Sequence, residues 1–153
     1  MNMTKNMKQK IQTALTAAMK ARDEDTKRTL RLMMTSIKFA EVEQGGEIDD
    51  SRILSILQKE VKTRQDTIKE AQQANRDDLI DAAKREIVIL ENFLPQQMTE
   101  EELIELVEQV IEETNASGIQ AMGDVMKNLM PKIAGRASGQ EASKIVRDLL
   151  QNR

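Results

Sequence analysis

Apolar residues recur every three or four positions through nearly the whole chain, and that spacing marks one buried face on an α-helix. Met7, Ile11, Ala14, Leu15, Ala18 and Met19 trace the first such stripe and predict a helix over residues 5–21. Leu30, Met33, Met34, Ile37 and Ala40 trace the second, with Asp25 or Thr26 as its cap and Gly45-Gly46 as its stop. Ile53, Leu57, Val61, Arg64 and Ile68 line a long third helix over 52–74, entered through Asp49, Asp50 and Ser51 and broken at Asn75. Leu79, Ala82, Ala83, Ile87, Leu90 and Leu94 line the fourth. It starts where Asp77 and Asp78 suit the positive end of a helix, and it stops before Pro95.

Residues 95–98 read as a short linker. Thr99-Glu100-Glu101-Glu102 then has the spacing of a capping box, in which Thr99 accepts from the N–H of residue 102 and Glu102 reaches back. Leu103, Ile104, Val107, Val110 and Ile111 follow as a fifth stripe, and residues 114–118 as a loop. Met122, Val125, Met126, Leu129 and Met130 form the sixth, which Pro131 is expected to end or kink because it lacks an N–H. Ser138-Gly139-Gln140-Glu141 gives a second capping box, before a seventh stripe of Ala142, Ile145, Val146, Leu149 and Leu150. An amphipathic helix must hide its apolar face, so each stripe is expected to be core. The expected fold is all-α, with a four-helix N-terminal domain over 1–95 and a small three-helix tail domain over 96–153.

Composition agrees and removes whole classes of chemistry. Helix formers dominate, and the only aromatics are two Phe, so the ten Met are expected to fill gaps in the core. Without His or Cys the chain has neither the usual general base nor a thiol nucleophile, and it lacks the commonest soft metal ligands. Ser117, Ser138 and Ser143 fall in caps, loops or helices, and none follows a strand as a nucleophile elbow would. Gly45-Gly46 is too short for a phosphate loop and is followed by acids. Glu100, Glu101 and Glu102 are consecutive on a helix start, so they diverge rather than converge on a cation. No catalytic residue, metal or cofactor is expected. No run approaches a membrane span, and residues 1–5 lack the apolar core of a secretory signal, so the expected compartment is the cytoplasm.

Two charged features remain. Arg64 falls on an apolar stripe, where it is expected to extend its stem or pair with an acid such as Glu86; a phosphate contact is the sharper alternative. In the tail, residues 100–113 carry only acidic charge, and the cations come later. Lys132, Arg136 and Lys144 gather around the 131–139 turn, where Gly135 and Gly139 let backbone approach closely; Lys127 and Arg147 flank them. Lys127, Lys132, Gly135, Arg136, Lys144 and Arg147 are therefore candidate contacts for an RNA backbone, against the plainer reading of a solvated basic face. With no aromatic in the tail, folded shape rather than stacked bases would be recognised.

The run from Met122-Gly123-Asp124-Val125 through Leu129-Met130-Pro131-Lys132 to Gly135-Arg136-Ala137-Ser138-Gly139 resembles the signature of the YqeY family. It is also similar to the C-terminal tail of the B subunit of the glutaminyl- and asparaginyl-tRNA amidotransferases, a GatB/YqeY-type domain. Phe93-Leu94-Pro95-Gln96-Gln97-Met98 resembles the family's joint, and Lys62-Thr63-Arg64-Gln65-Asp66 and Asn75-Arg76-Asp77-Asp78-Leu79 its N-terminal portion. Asp124 and Ala134 stand where that pattern is often basic. The resemblance implies four helices followed by a three-helix tail. It also implies a tail that faces the tRNA elbow, while glutaminase and kinase chemistry lie on domains without counterpart here. A carbon–nitrogen ligase activity with glutamine as amido-N-donor would then belong to the larger subunit. The expected function is a non-catalytic accessory protein that binds tRNA; the alternative is an interaction module docking on a translation or amidotransferase protein.

Overall fold

The computed structural model describes residues 6–152. The first residues of the N-terminus, including the expected helix start at Lys5, lie outside them. Among the described residues the chain is all-α. The helices are α1 (Met7–Ala21), α2 (Glu24–Gln44), α3 (Asp50–Gln73), α4 (Asp77–Glu91), α5 (Glu100–Glu113), α6 (Met122–Ile133) and α7 (Gly139–Gln151), with a 3-10 turn at Ile119–Ala121.

Most ends follow the expected chemistry. Asp49 caps α3 by accepting from the Arg52 N–H, and Asn75 leaves the helical region at φ 55°. Gly45 takes the left-handed conformation that closes α2, at φ 82°. Thr99 and Glu102 form the reciprocal capping box. Three expectations need correction. Asp23, not Asp25 or Thr26, caps α2: its carboxylate accepts both the N–H and the hydroxyl of Thr26. At Ser138 the hydroxyl accepts from the Glu141 N–H, which is half of the expected box. Pro131 does not end α6, which continues to Ile133. It stands in the last turn, so the one intrahelical bond its missing N–H forfeits is the one to the Lys127 carbonyl. Termination falls instead to Ala134 and Gly135, both at positive φ.

The helices group into two compact units, Met1–Pro95 and Gln96–Arg153. In the first, α1 packs on α2 and α3 on α4, and α2 also meets α3 and α4. Ile11, Leu15, Leu30, Met33, Ile37, Ile53, Leu57, Val61 and Leu90 form its core. In the second, α5, α6 and α7 pack pairwise around Leu103, Val107, Val110, Ile111, Val125, Leu129, Ile133, Ala142, Val146 and Leu150. The stripes are mostly core, with Ile68, Ala82 and Ile104 half-buried outside the two clusters. Met19, Leu79 and Met130 are exposed, since each stands at the edge of its stripe rather than its centre.

Candidate functional site

The tail turn is built as a clasp. The Ala134 N–H donates to the Met130 carbonyl at 3.2 Å and the Arg136 N–H to that of Ile133 at 2.6 Å, which folds the chain back after α6. The segment expected as a linker is stitched into this turn. The Met98 N–H donates to the Arg136 carbonyl at 2.8 Å, and the Gln97 amide to the Gly135 carbonyl at 2.9 Å. The Arg136 guanidinium donates through Nε to the Gln96 carbonyl at 2.9 Å, and its Nη2 lies 3.7 Å from a Glu102 carboxylate oxygen. The Lys132 ammonium donates to Glu113 of α5 at 3.0 Å.

Two of the five candidate cations thus already hold the tail together. Arg136 fixes the 96–98 segment, Lys132 bridges α6 to α5, and Gly135 supplies a positive φ and a carbonyl acceptor. Lys127, Lys144 and Arg147 are exposed and have no ion pair among the described residues. Lys144 and Arg147, three apart, share a face of α7. Lys127 and Lys132, five apart, point about 140° from each other around α6. The six candidates therefore do not form one continuous basic face. The tail also carries ten Asp and Glu against six Lys and Arg, so its overall field repels a phosphate backbone.

Arg64 takes the expected bland role. It is 9% exposed, with Nη1 2.7 Å from Glu60 and Nη2 3.7 Å from Glu86, and so pairs within α3 and across to α4. Two carboxylates close to one guanidinium leave no net charge there for a phosphate. Among the described residues no group of acidic side chains converges as a metal site would require, and no helix is long and apolar enough to cross a membrane.

Another feature lies on the outer side of α2. Leu32, Phe39 and Val42 are 50%, 68% and 73% exposed. They recur at seven- and three-residue spacing and so make a second apolar stripe on a helix whose other face is core. Beside them an open groove of about 490 Å³ runs between α2 and α3, lined by Phe39, Ala40 and Ile56 together with Glu43, Arg52 and Lys59. The sequence carried the signal: after Leu30, Met33, Ile37 and Ala40 are assigned inward, Leu32 and Phe39 have no core position left.

The sequence profile of the family described as Yqey-like protein matches residues 8–150. The chain belongs to the YqeY family. Its YqeY-family relatives include fungal proteins named altered inheritance of mitochondria protein 41, mitochondrial. That of Pyrenophora tritici-repentis is 28% identical, over 92% of this chain and 79% of its own length. That of Lachancea thermotolerans is 35% identical, over 54% of this chain and 44% of its own length. That of Clavispora lusitaniae is 28% identical, over 78% of this chain and 72% of its own length. These names overturn the expectation of a cytoplasmic protein: relatives across most of the chain are named as mitochondrial. The lack of an apolar run does not bear on organelle import, whose segments are amphipathic and basic.

Proposed function

We propose that this YqeY-family chain is a non-catalytic accessory protein that works by docking a partner protein on the outer face of α2. The observation that carries the reading is the row of Leu32, Phe39 and Val42, half to three-quarters exposed on an ordered helix. Exposed large apolar side chains that share a face and adjoin a groove are characteristic of interaction surfaces, whereas singly scattered ones are not. The chain has no His or Cys to supply a nucleophile or base, which supports an accessory role.

The second reading is tRNA binding through the tail, the function that the resemblance of residues 122–139 implies. It is favoured by Lys144 and Arg147, exposed without ion pairs on one face of α7. On this reading the contacts belong to that face rather than to Lys132 and Arg136, which are engaged within the tail.

The two separate in one experiment: quantitative co-purification from the cells the chain comes from, using the full chain, F39S/V42S and K144E/R147E. The docking reading expects a reproducible protein set that F39S/V42S loses and K144E/R147E retains. Recovery of tRNA that K144E/R147E abolishes, with no protein lost from F39S/V42S, would transfer the function to the tail.

A further inference from the structure

Among the described residues Arg64 is the one buried charged side chain, and it lies in the first unit. From α3 itself, Glu60 meets its Nη1 with a carboxylate oxygen at 2.7 Å and with its carbonyl at 3.1 Å. From α4, a Glu86 oxygen lies 3.7 Å from its Nη2. From α2, the Ser36 hydroxyl donates to Glu60 at 3.4 Å. The acids of α2 face elsewhere: Glu24 pairs with Lys27, Asp25 with Arg28 and Arg85, Glu41 with Lys8, and Glu43 lines the outer groove. Helix α1 carries Lys8, Lys10 and Lys20 and no acid, so it offers no counter-charge. Arg64 Nε has no partner. A guanidinium keeps its charge at every pH a protein meets, so Glu60 and Glu86 alone neutralise this one. Protonating them leaves an uncompensated charge inside the first core.

We propose that Arg64, held between Glu60 and Glu86, is an acid-released latch: acidification opens α1–α4 while α5–α7 stay folded. The second unit has no such charge, since its buried residues are all apolar among those described. Its ion pairs, Lys132–Glu113 and Arg136–Glu102, are exposed, and exposed pairs contribute little. Acid also relieves α5. Glu101, Glu105, Glu108 and Glu112 are exposed and without an ion pair, and they follow one another at spacings of three or four, where like charges repel. Carboxylates at Glu100 to Glu102 suit the positive end of α5, and losing them offsets part of that relief. Exposed pairs and carboxylate caps occur in both units, so the buried guanidinium is what separates their responses. The latch works whatever partner α2 meets.

The test follows the amide cross-peaks of the full chain by NMR as the pH is lowered from about 7 to about 2. The native cross-peaks of α1–α4 are expected to disappear about one pH unit or more above those of α5–α7. R64M removes the buried charge and keeps an unbranched stem. It should lower the α1–α4 midpoint by about half a pH unit or more and leave that of α5–α7 in place. E86Q takes away one of the two carboxylates and should raise the α1–α4 midpoint, whereas D66N, which breaks an exposed pair on the same helix, should not. In R64M/E86Q the rise should vanish, because no charge is left to strand. Loss of both units at one pH, loss of α5–α7 first, or an unchanged midpoint in R64M would each overturn the latch. If R64M lacks the α1–α4 cross-peaks at neutral pH, E86Q against D66N decides: a rise confined to E86Q upholds the latch, and equal midpoints overturn it.

Discussion

At the scale of single residues, Arg136 and Lys132 show how the same side chain serves two readings. The sequence placed both in a basic turn, as ligands for a phosphate backbone. The structure gives both to the protein: Arg136 reaches the Gln96 carbonyl and Glu102, and Lys132 reaches Glu113. Their partners lie 40, 34 and 19 residues away, and contacts at such separations leave no mark in local spacing. Arg136→Ala is expected to destabilise the tail by about 1 kcal/mol, because a carbonyl acceptor loses its charged donor at a half-exposed site. Lys132→Ala, which breaks a surface pair, should change stability by less than about 0.5 kcal/mol. Chemical denaturation followed by the helical signal checks both, and equal effects would mean that Arg136 does not fasten the joint. Arg64 shows the reverse: its pairing with Glu86 was legible, because a cation at the centre of an apolar stripe requires an acid on a neighbouring helix.

At the scale of elements, helix existence and inner faces were legible throughout, since periodicity and caps are local signals. What escaped was choice among neighbouring caps and the fate of Pro131. Asp23, Asp25 and Thr26 can each cap a helix, and only the backbone's exit from α1, with Arg22 left-handed at φ 58°, selects Asp23. That cap predicts an acid response. The Thr26 hydroxyl, and then its N–H, donate to the Asp23 carboxylate and hold its pKa below the ordinary value. The folded-state pKa is thus below the unfolded one of about 3.9, so the cap's contribution is complete above that pH and lost as pH falls from there through the lower folded-state value. The Arg76 guanidinium acts likewise on Asp78 at the start of α4. Asp23→Asn keeps a capping oxygen but removes the titration. Its melting temperature should match the wild type near neutrality and fall less steeply below about pH 4. Thermal melts across that range check this, and parallel curves would rule out Asp23 as a contributor.

At the scale of the whole molecule, the all-helical class was visible in the sequence, but the outer face of α2 was not used. Periodicity assigns one stripe of each helix to a core, and an additional apolar row on an already satisfied helix gives no further periodic signal. The two units hold separate cores, and Leu129 lies at the centre of the second with none of its surface exposed. Leu129→Ala should therefore weaken amide protection in α5–α7 by about 3 kcal/mol, leaving α1–α4 unchanged. Hydrogen exchange resolves this, and an equal loss in both units would show that they unfold as one. The central claim concerns the face of α2, and site-specific photo-crosslinking tests it most directly. A photoreactive residue is placed at Val42 or at Lys144 in the full chain, expressed in its own cells. We predict a protein adduct from position 42 that Phe39→Ser removes, and none of comparable yield from position 144. An RNA adduct from position 144, with position 42 silent, would contradict the account.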